Sequence, residues 1–147
     1  MFERTQIRDA TVQALAASGS SVLEFYFPRA VRIKRYFAVP SVAEAAHATQ
    51  ALTVTFVNAS TDGAGSTTLA LLTNDTDDAD AVTVESGAWV AHDAKELNTE
   101  NRPGSPTNAQ NEADEIAAGA VIKVTVAKAA GTTTGNVLVG IEYVESD

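Results

Sequence analysis

Cysteine is absent from the 147 residues. That excludes disulfides, thiolate nucleophiles and cysteine-based zinc sites together, and leaves stability to packing. Basic residues are scarce, ten Lys and Arg against nineteen Asp and Glu, for a formal charge of -9. A chain of that sign repels phosphate backbones, so direct contact with nucleic acid is not expected. Aromatic residues are few, five Phe, three Tyr and one Trp, and most fall on core parities, which disfavours the exposed stacking surface of a sugar-binding module. No apolar run approaches the ~20 residues of a membrane-spanning helix. Residues 1–20 hold no continuous apolar stretch of about seven or more, such as a secretory signal needs. The expectation is a protein made and used without export, with no membrane partner.

What is present is the period of two. In the stretch VIKVTV, Ile122, Val124 and Val126 share one face and Lys123 and Thr125 the other, the pattern of a half-buried strand. Beyond the connection AKAAGTTTG, Val137, Val139, Ile141 and Tyr143 alternate with Leu138, Gly140, Glu142 and Val144. This strand is apolar on most of both faces and is expected at the centre of a sheet. At this length one domain is expected, with ~70% of the unfolded surface buried in a single core. Residues 1–20 read as an N-terminal arm or a short helical turn, and residues 21–147 as the domain proper.

Further strands follow in order. Leu23, Phe25 and Phe27 alternate with Val22, Glu24 and Tyr26 until Pro28 stops the run. Val31, Ile33, Phe37 and Val39 share a parity that Arg35 interrupts, which points to a bulge or a strand end near it. Arg29, Arg32, Lys34 and Arg35 form the densest basic cluster, read either as a solvated strand face or as a patch for an acidic protein surface. The stretch PSVAEAAHAT is a loop or one helical turn, and its His47 has no companion at ligand spacing. Leu52, Val54 and Phe56 mark another strand, and Gly63-Ala64-Gly65 after it lacks the third Gly and the Gly-Lys-Ser/Thr of a phosphate loop, so it is a hairpin turn. Leu69 and Leu71 oppose Ala70 and Leu72 in the next strand. Four aspartates between Asp75 and Asp80 miss the EF-hand pattern at its Gly and Glu positions and read as an acidic turn. Val82 and Val84 make a short strand, and Trp89 begins another as a core anchor with its ring N–H bonded. Residues 92–115 are a long polar loop with Leu97 its one large apolar residue, expected to be mobile or ordered by a partner. His92-Asp93 has no nucleophile-elbow serine to serve. No catalytic residue, cofactor or metal is assigned, and the protein is not read as an enzyme.

About eight short strands, turn chemistry between them and no helix for a parallel crossover predict an all-β antiparallel sandwich, jelly-roll-like or immunoglobulin-like, with a long loop at about 92–115. Periodicity leaves the two strand orders open. The stretches FYFPRAVRIKRYFAVP (residues 25–40), ALTVTFVN (51–58) and IAAGAVIKVTVAKAAGTTTGNVLVGIEYV (116–144) resemble the small β-sandwich decoration, or cement, proteins of tailed bacteriophage heads. The resemblance implies a virion protein, made in the host cytoplasm, that attaches to the capsid exterior and bridges major capsid subunits as a homo-oligomer, with a trimer the expected form. It carries over no active site. The contact residues expected on that reading are Phe2 and Ile7 in the arm, Arg29, Arg32, Lys34 and Arg35, and Leu97, Arg102, Pro103 and Pro106 in the long loop. The alternatives are a receptor- or carbohydrate-binding fibre module and a head-tail component.

Overall fold

The computed structural model describes residues 4–16, 18–47, 52–76, 82–102, 112–129 and 135–146. Among them are ten strands: β1 (Gln6–Val12), β2 (Ser20–Phe27), β3 (Val31–Pro40), β4 (Leu52–Asn58), β5 (Thr67–Thr73), β6 (Val84–Glu85), β7 (Lys95–Asn98), β8 (Glu115–Ile116), β9 (Ala120–Lys128) and β10 (Val137–Glu145). They build two five-stranded sheets, one ordered β1-β10-β3-β7 with β8 also on β3, the other β2-β9-β4-β5-β6. Pairing is antiparallel except between β5 and the short β6.

The pairs nest. β4 pairs β5, β3 pairs β7, β2 pairs β9 and β1 pairs β10, as in one long hairpin whose turn lies after β4. Rolling that hairpin adds β10 to β3 and β9 to β4. The result is a jelly roll, which settles the strand order that periodicity left open between this and the immunoglobulin arrangement.

The core lies between the sheets and is filled by the alternate residues of each strand. Ile122, Val124 and Val126 of β9 and Val139 and Ile141 of β10 are fully buried against Val54 and Phe56 of β4 and Ile33 and Tyr36 of β3. β10 lies centrally, as its two apolar faces predict. Trp89 is buried, and its Nε1–H donates to the Leu52 carbonyl at 3.2 Å. The β4–β5 hairpin turns through Gly63 at a φ of 78°, a conformation that glycine adopts without Cβ strain, and the Asp62 carboxylate accepts from the Ala64 N–H at 2.9 Å.

Three local expectations change. Residues 6–12 are neither a helical turn nor a loose arm: β1 pairs β10 along its whole length, with Ala10 and Val12 turned to the core and the Tyr143 hydroxyl donating to Gln6 at 3.2 Å. The long polar stretch is also partly regular. Lys95–Asn98 pairs β3, and a 3-10 turn (Thr99–Asn101) follows, its N-cap Asn98 accepting from the Glu100 N–H at 2.9 Å. The strand expected from Trp89 is not one: Trp89 forms an isolated bridge to Glu44 of the alanine-rich connection after β3, which is a loop over its described residues, with His47 bridged to Asp75.

The bulge in β3 is present, and its consequence reaches further than the sequence suggests. The ladder with β10 shifts between Glu142 and Tyr143, so Lys34 has no opposite residue. Side-chain parity reverses beyond it. Tyr36 and Ala38 therefore enter the core, while Phe37 faces outward and is nonetheless only 7% exposed. Its ring lies across Gly140, its cross-strand partner, in space that a Cβ there would occupy, and the Arg35 guanidinium covers it at 4.9 Å. Gly140→Ala should thus lower the unfolding free energy by about 1–3 kcal/mol through overpacking. In urea unfolding, most of that loss should disappear when Phe37→Ala is combined with it; purely additive losses would separate the glycine from the ring.

Candidate functional site

The outer face of the first sheet carries the basic cluster. Because of the bulge, Lys34 and Arg35 both reach this face, and each meets an acid from elsewhere in the chain. Lys34 pairs Glu100 at 2.6 Å. Arg35 lies between Glu96 of β7 at 2.5 Å and Glu142 of β10 at 3.1 Å. Arg29, in the β2–β3 turn, reaches Glu145 at 3.3 Å, and Arg32 is opposite Glu115 in the ladder. The Lys34 ammonium holds the Glu100 carboxyl below its ordinary range by hydrogen bond and charge. The cluster is therefore not a bare positive patch. Its charges are answered within the fold, and exposed pairs of this kind, screened by solvent, add little to stability.

Two of the other expected contact residues are internal. Leu97 is 1% exposed and packs in the core from β7. Arg102 is buried in an ion pair: its Nη2 donates to both carboxylate oxygens of Asp114 at 2.5 Å, and its Nη1 donates to the Val82 carbonyl at 3.2 Å. The Tyr36 hydroxyl donates to the same carboxylate at 2.9 Å. Arg102 and Asp114, two polar residues of the long stretch, are thus buried as each other's complement. Ile7 is exposed on β1. Phe2, Pro103 and Pro106 lie outside the described residues.

Other candidate chemistry does not assemble. His47 is exposed and lies 3.6 Å from Glu44. Among the described residues no group of three or more His, Asp or Glu side chains is placed to hold a metal. Asp75, at the start of the acidic turn, is buried, with its N–H donating to Thr73 Oγ1 at 3.1 Å; Asp77, Asp78 and Asp80 are outside the described residues. Lys95 lies over the Trp89 ring at 5.2 Å and donates to the Ser86 carbonyl, and burial pushes its ammonium pKa down. A depression of about 460 Å³ between β3, the 3-10 turn and residues 112–115 is open and lined by Lys34, Arg32, Glu100, Glu112 and Glu115.

The outer face of the second sheet is different in kind. Val22, Glu24 and Tyr26 of β2, Val121, Lys123 and Thr125 of β9, Thr53, Thr55 and Val57 of β4 and Leu71 of β5 all face outward. Glu24 and Lys123 are the only charged side chains in this set, and they are directly opposite each other. In a chain of net charge -9, this face is neutral. Its signal lay in the sequence as the Thr/Val alternation of β4 and β9, but that these strands lie side by side and share one outer face was not readable.

No known protein family matches the chain, and no curated protein does. Solved structures similar to it in part include a chain of the infectious bursal disease virus Gx strain, 8% identical, with a TM-score of 0.31, over 96% of this chain and 31% of the viral one. A chain of the Gt strain of that virus is similar at 10% identity and a TM-score of 0.22, over 97% and 42%. The chain thus spans less than half the length of each.

The Arg102–Asp114 pair is buried beside the Tyr36 hydroxyl. Burial pushes the Asp114 carboxyl up, with the Arg102 hydrogen bond and charge pulling it down only in part. Burial, then Asp114, holds the Tyr36 hydroxyl well above its ordinary value. Since folding raises the Asp114 pKa, its contribution to stability is fully present below the unfolded value and is lost as pH rises through the folded one. Arg102→Met would strand a buried carboxylate, and should lower the unfolding free energy at neutral pH by about 3–5 kcal/mol. The loss should shrink on acidification, because a protonated Asp114 needs no cation. Denaturant unfolding of both proteins at several pH values checks this; an equal loss at every pH would mean that the charge is not what Arg102 serves.

Proposed function

We propose that the protein is a structural virion component that binds the outer surface of a phage capsid and stabilises it by bridging major capsid subunits, without a catalytic role. The observation that carries this reading is the neutral outer face of the second sheet. Charged residues are depleted at the centres of protein interfaces because burying them costs desolvation energy. A net charge of -9 elsewhere keeps the molecule soluble, while Thr, Val and one matched Glu24–Lys123 pair leave this face cheap to cover. The stretches that resemble cement proteins support the same reading, since they form β2, β3, β4, β9 and β10, the frame of both sheets. Of the described aromatics only Tyr26 is exposed, which leaves a sugar no second ring to stack on and favours attachment to protein over glycan.

Many copies on a shell multiply weak contacts, so a modest face suffices. Thr55→Glu and Val121→Glu each place an unmatched charge on that face. Either should reduce occupancy on purified shells by about tenfold or more, while Arg29→Ala, on the self-neutralised side, should bind as the wild type does. Unchanged occupancy of both glutamate variants, with their folds intact by circular dichroism, would remove this face from the account.

A further inference from the structure

A jelly roll leaves strand edges open, and here two of them are long. β1 ends the first sheet and β2 ends the second. Among the described residues, three of the four exposed large apolar side chains lie on these strands: Ile7, Val22 and Tyr26, each more than half exposed. The Arg8 side chain crosses from β1 over the Phe27 ring, at 4.9 Å from its centroid, and its Nη1 donates to the Tyr26 carbonyl. That contact sets the two edges side by side and occupies one acceptor of the β2 edge. An inward-pointing charge of this sort is a usual protection of a sheet edge. The exposed Glu24 of β2 also has Lys123 opposite it. β1 carries Arg8 on its inner parity, but that side chain is spent on β2, and among the described residues no side chain bonds the outward backbone groups of β1 itself.

Alternation fixes which groups are open. The Ser41 N–H donates to the Asn136 carbonyl, so residue 136 bonds toward β3 and residues 137, 139 and 141 bond toward β1. Val12, Ala10 and Arg8 are their partners. The backbone N–H and C=O of Ile7, Asp9 and Thr11 therefore point outward along the edge. Asp9 faces Gly140 across its own ladder and has no cross-strand cation.

We propose that two copies of the protein join by antiparallel pairing of β1 with β1 about a twofold axis at Ile7. Centred there, Ile7 meets Ile7 of the second copy in a doubly hydrogen-bonded pair, Asp9 meets Thr5, and Arg8 meets Gln6. The exposed Arg4 falls opposite Ala10 of the other copy, so this register sets no like charges against each other. The neighbouring registers are worse. An axis at Arg8 opposes that residue to itself, one at Asp9 opposes two carboxylates, and one at Gln6 sets Arg4 against Arg8; like charges directly opposite destabilise a pair. Self-complementarity in a single register is what an interface between identical copies requires. The joint also brings the Tyr26 edge, tied to Arg8, close to the axis. It gives a twofold pair in place of the trimer that resemblance implies, and it does not depend on binding to a shell.

Sedimentation equilibrium of the full-length protein over a range of concentrations, with hydrogen exchange read at single amides, tests the pairing. The expected result is a monomer–dimer equilibrium in which the Ile7 and Asp9 amides exchange slowly in the dimer and quickly on dilution. Ile7→Lys, which opposes two ammonium groups on the axis, should weaken association by about tenfold or more; Ile7→Val should retain it. A monomer at every concentration, a trimer, or a dimer whose Ile7 and Asp9 amides stay fast would each overturn the proposal.

Discussion

The roll depends on hydrogen-bonded ladders that join the two ends of the chain. β1 and β2 can be ordered only by strands from the last quarter of the sequence, since Gln6 pairs with Tyr143 and Ser20 with Ala127. Closing loops that long costs entropy that rises only logarithmically with length, so the arrangement is affordable once made. It is slow to make, because no contact in the outer pairs forms before the inner ones bring the ends together. The β4–β5 hairpin is the one local pair in the nest, and the Gly63 turn that closes it is the natural place for zipping to begin.

What holds the sheets face to face is apolar alternation, and that was legible. β2, β4, β9 and β10 follow the period of two closely, so their buried and exposed sides could be assigned from the residues alone. The exceptions are bulges. One unpaired residue at Lys34 exchanges the roles of Tyr36 and Phe37, and a second shift, between Phe56 and Val57, exchanges parities in β5, where Leu69 and Ala70 are both buried. A bulge is visible in sequence as a break in pattern; what lies beyond it depends on which strand carries the extra residue. β1 and β7 were missed for another reason. Each has few large apolar residues, because an edge strand needs only enough burial to stay on its neighbour.

The candidate contact residues were harder to read, and charge explains why. A run of cations in an acidic chain looks like a patch, yet the acids that answer Lys34, Arg35 and Arg29 come from Glu100, Glu96, Glu142 and Glu145, far away in sequence. Only the roll brings them together. The same holds for Arg102, whose partners are the Asp114 carboxylate and the Val82 carbonyl, with the Tyr36 hydroxyl donating to the same carboxylate. A buried pair of this kind is a poor source of net stability but a strong determinant of one arrangement, since separating the partners leaves a charge in the core. It fixes where the stretch after β7 returns to the sheet. Nothing in the order of residues distinguishes such an internal arginine from a surface one.

One face therefore carries charges that cancel, the other carries almost none, and the remaining reactive element is the unpaired backbone of the edges. Edges are a hazard because pairing one edge with a different one leaves a new edge free, and the assembly grows without limit. The molecule meets this unevenly. β6, β7 and β8 are too short to template a partner, and Arg8 occupies part of β2, but β1 offers seven residues with alternate backbone groups turned outward. A twofold joint through β1 resolves the asymmetry: the same edge is consumed from both sides, no β1 is left over, and growth stops at two. The neutral faces of the second sheets would then lie in fixed relation across the axis. On the proposed capsid-bridging role, two such faces on one rigid unit would span more surface than either alone.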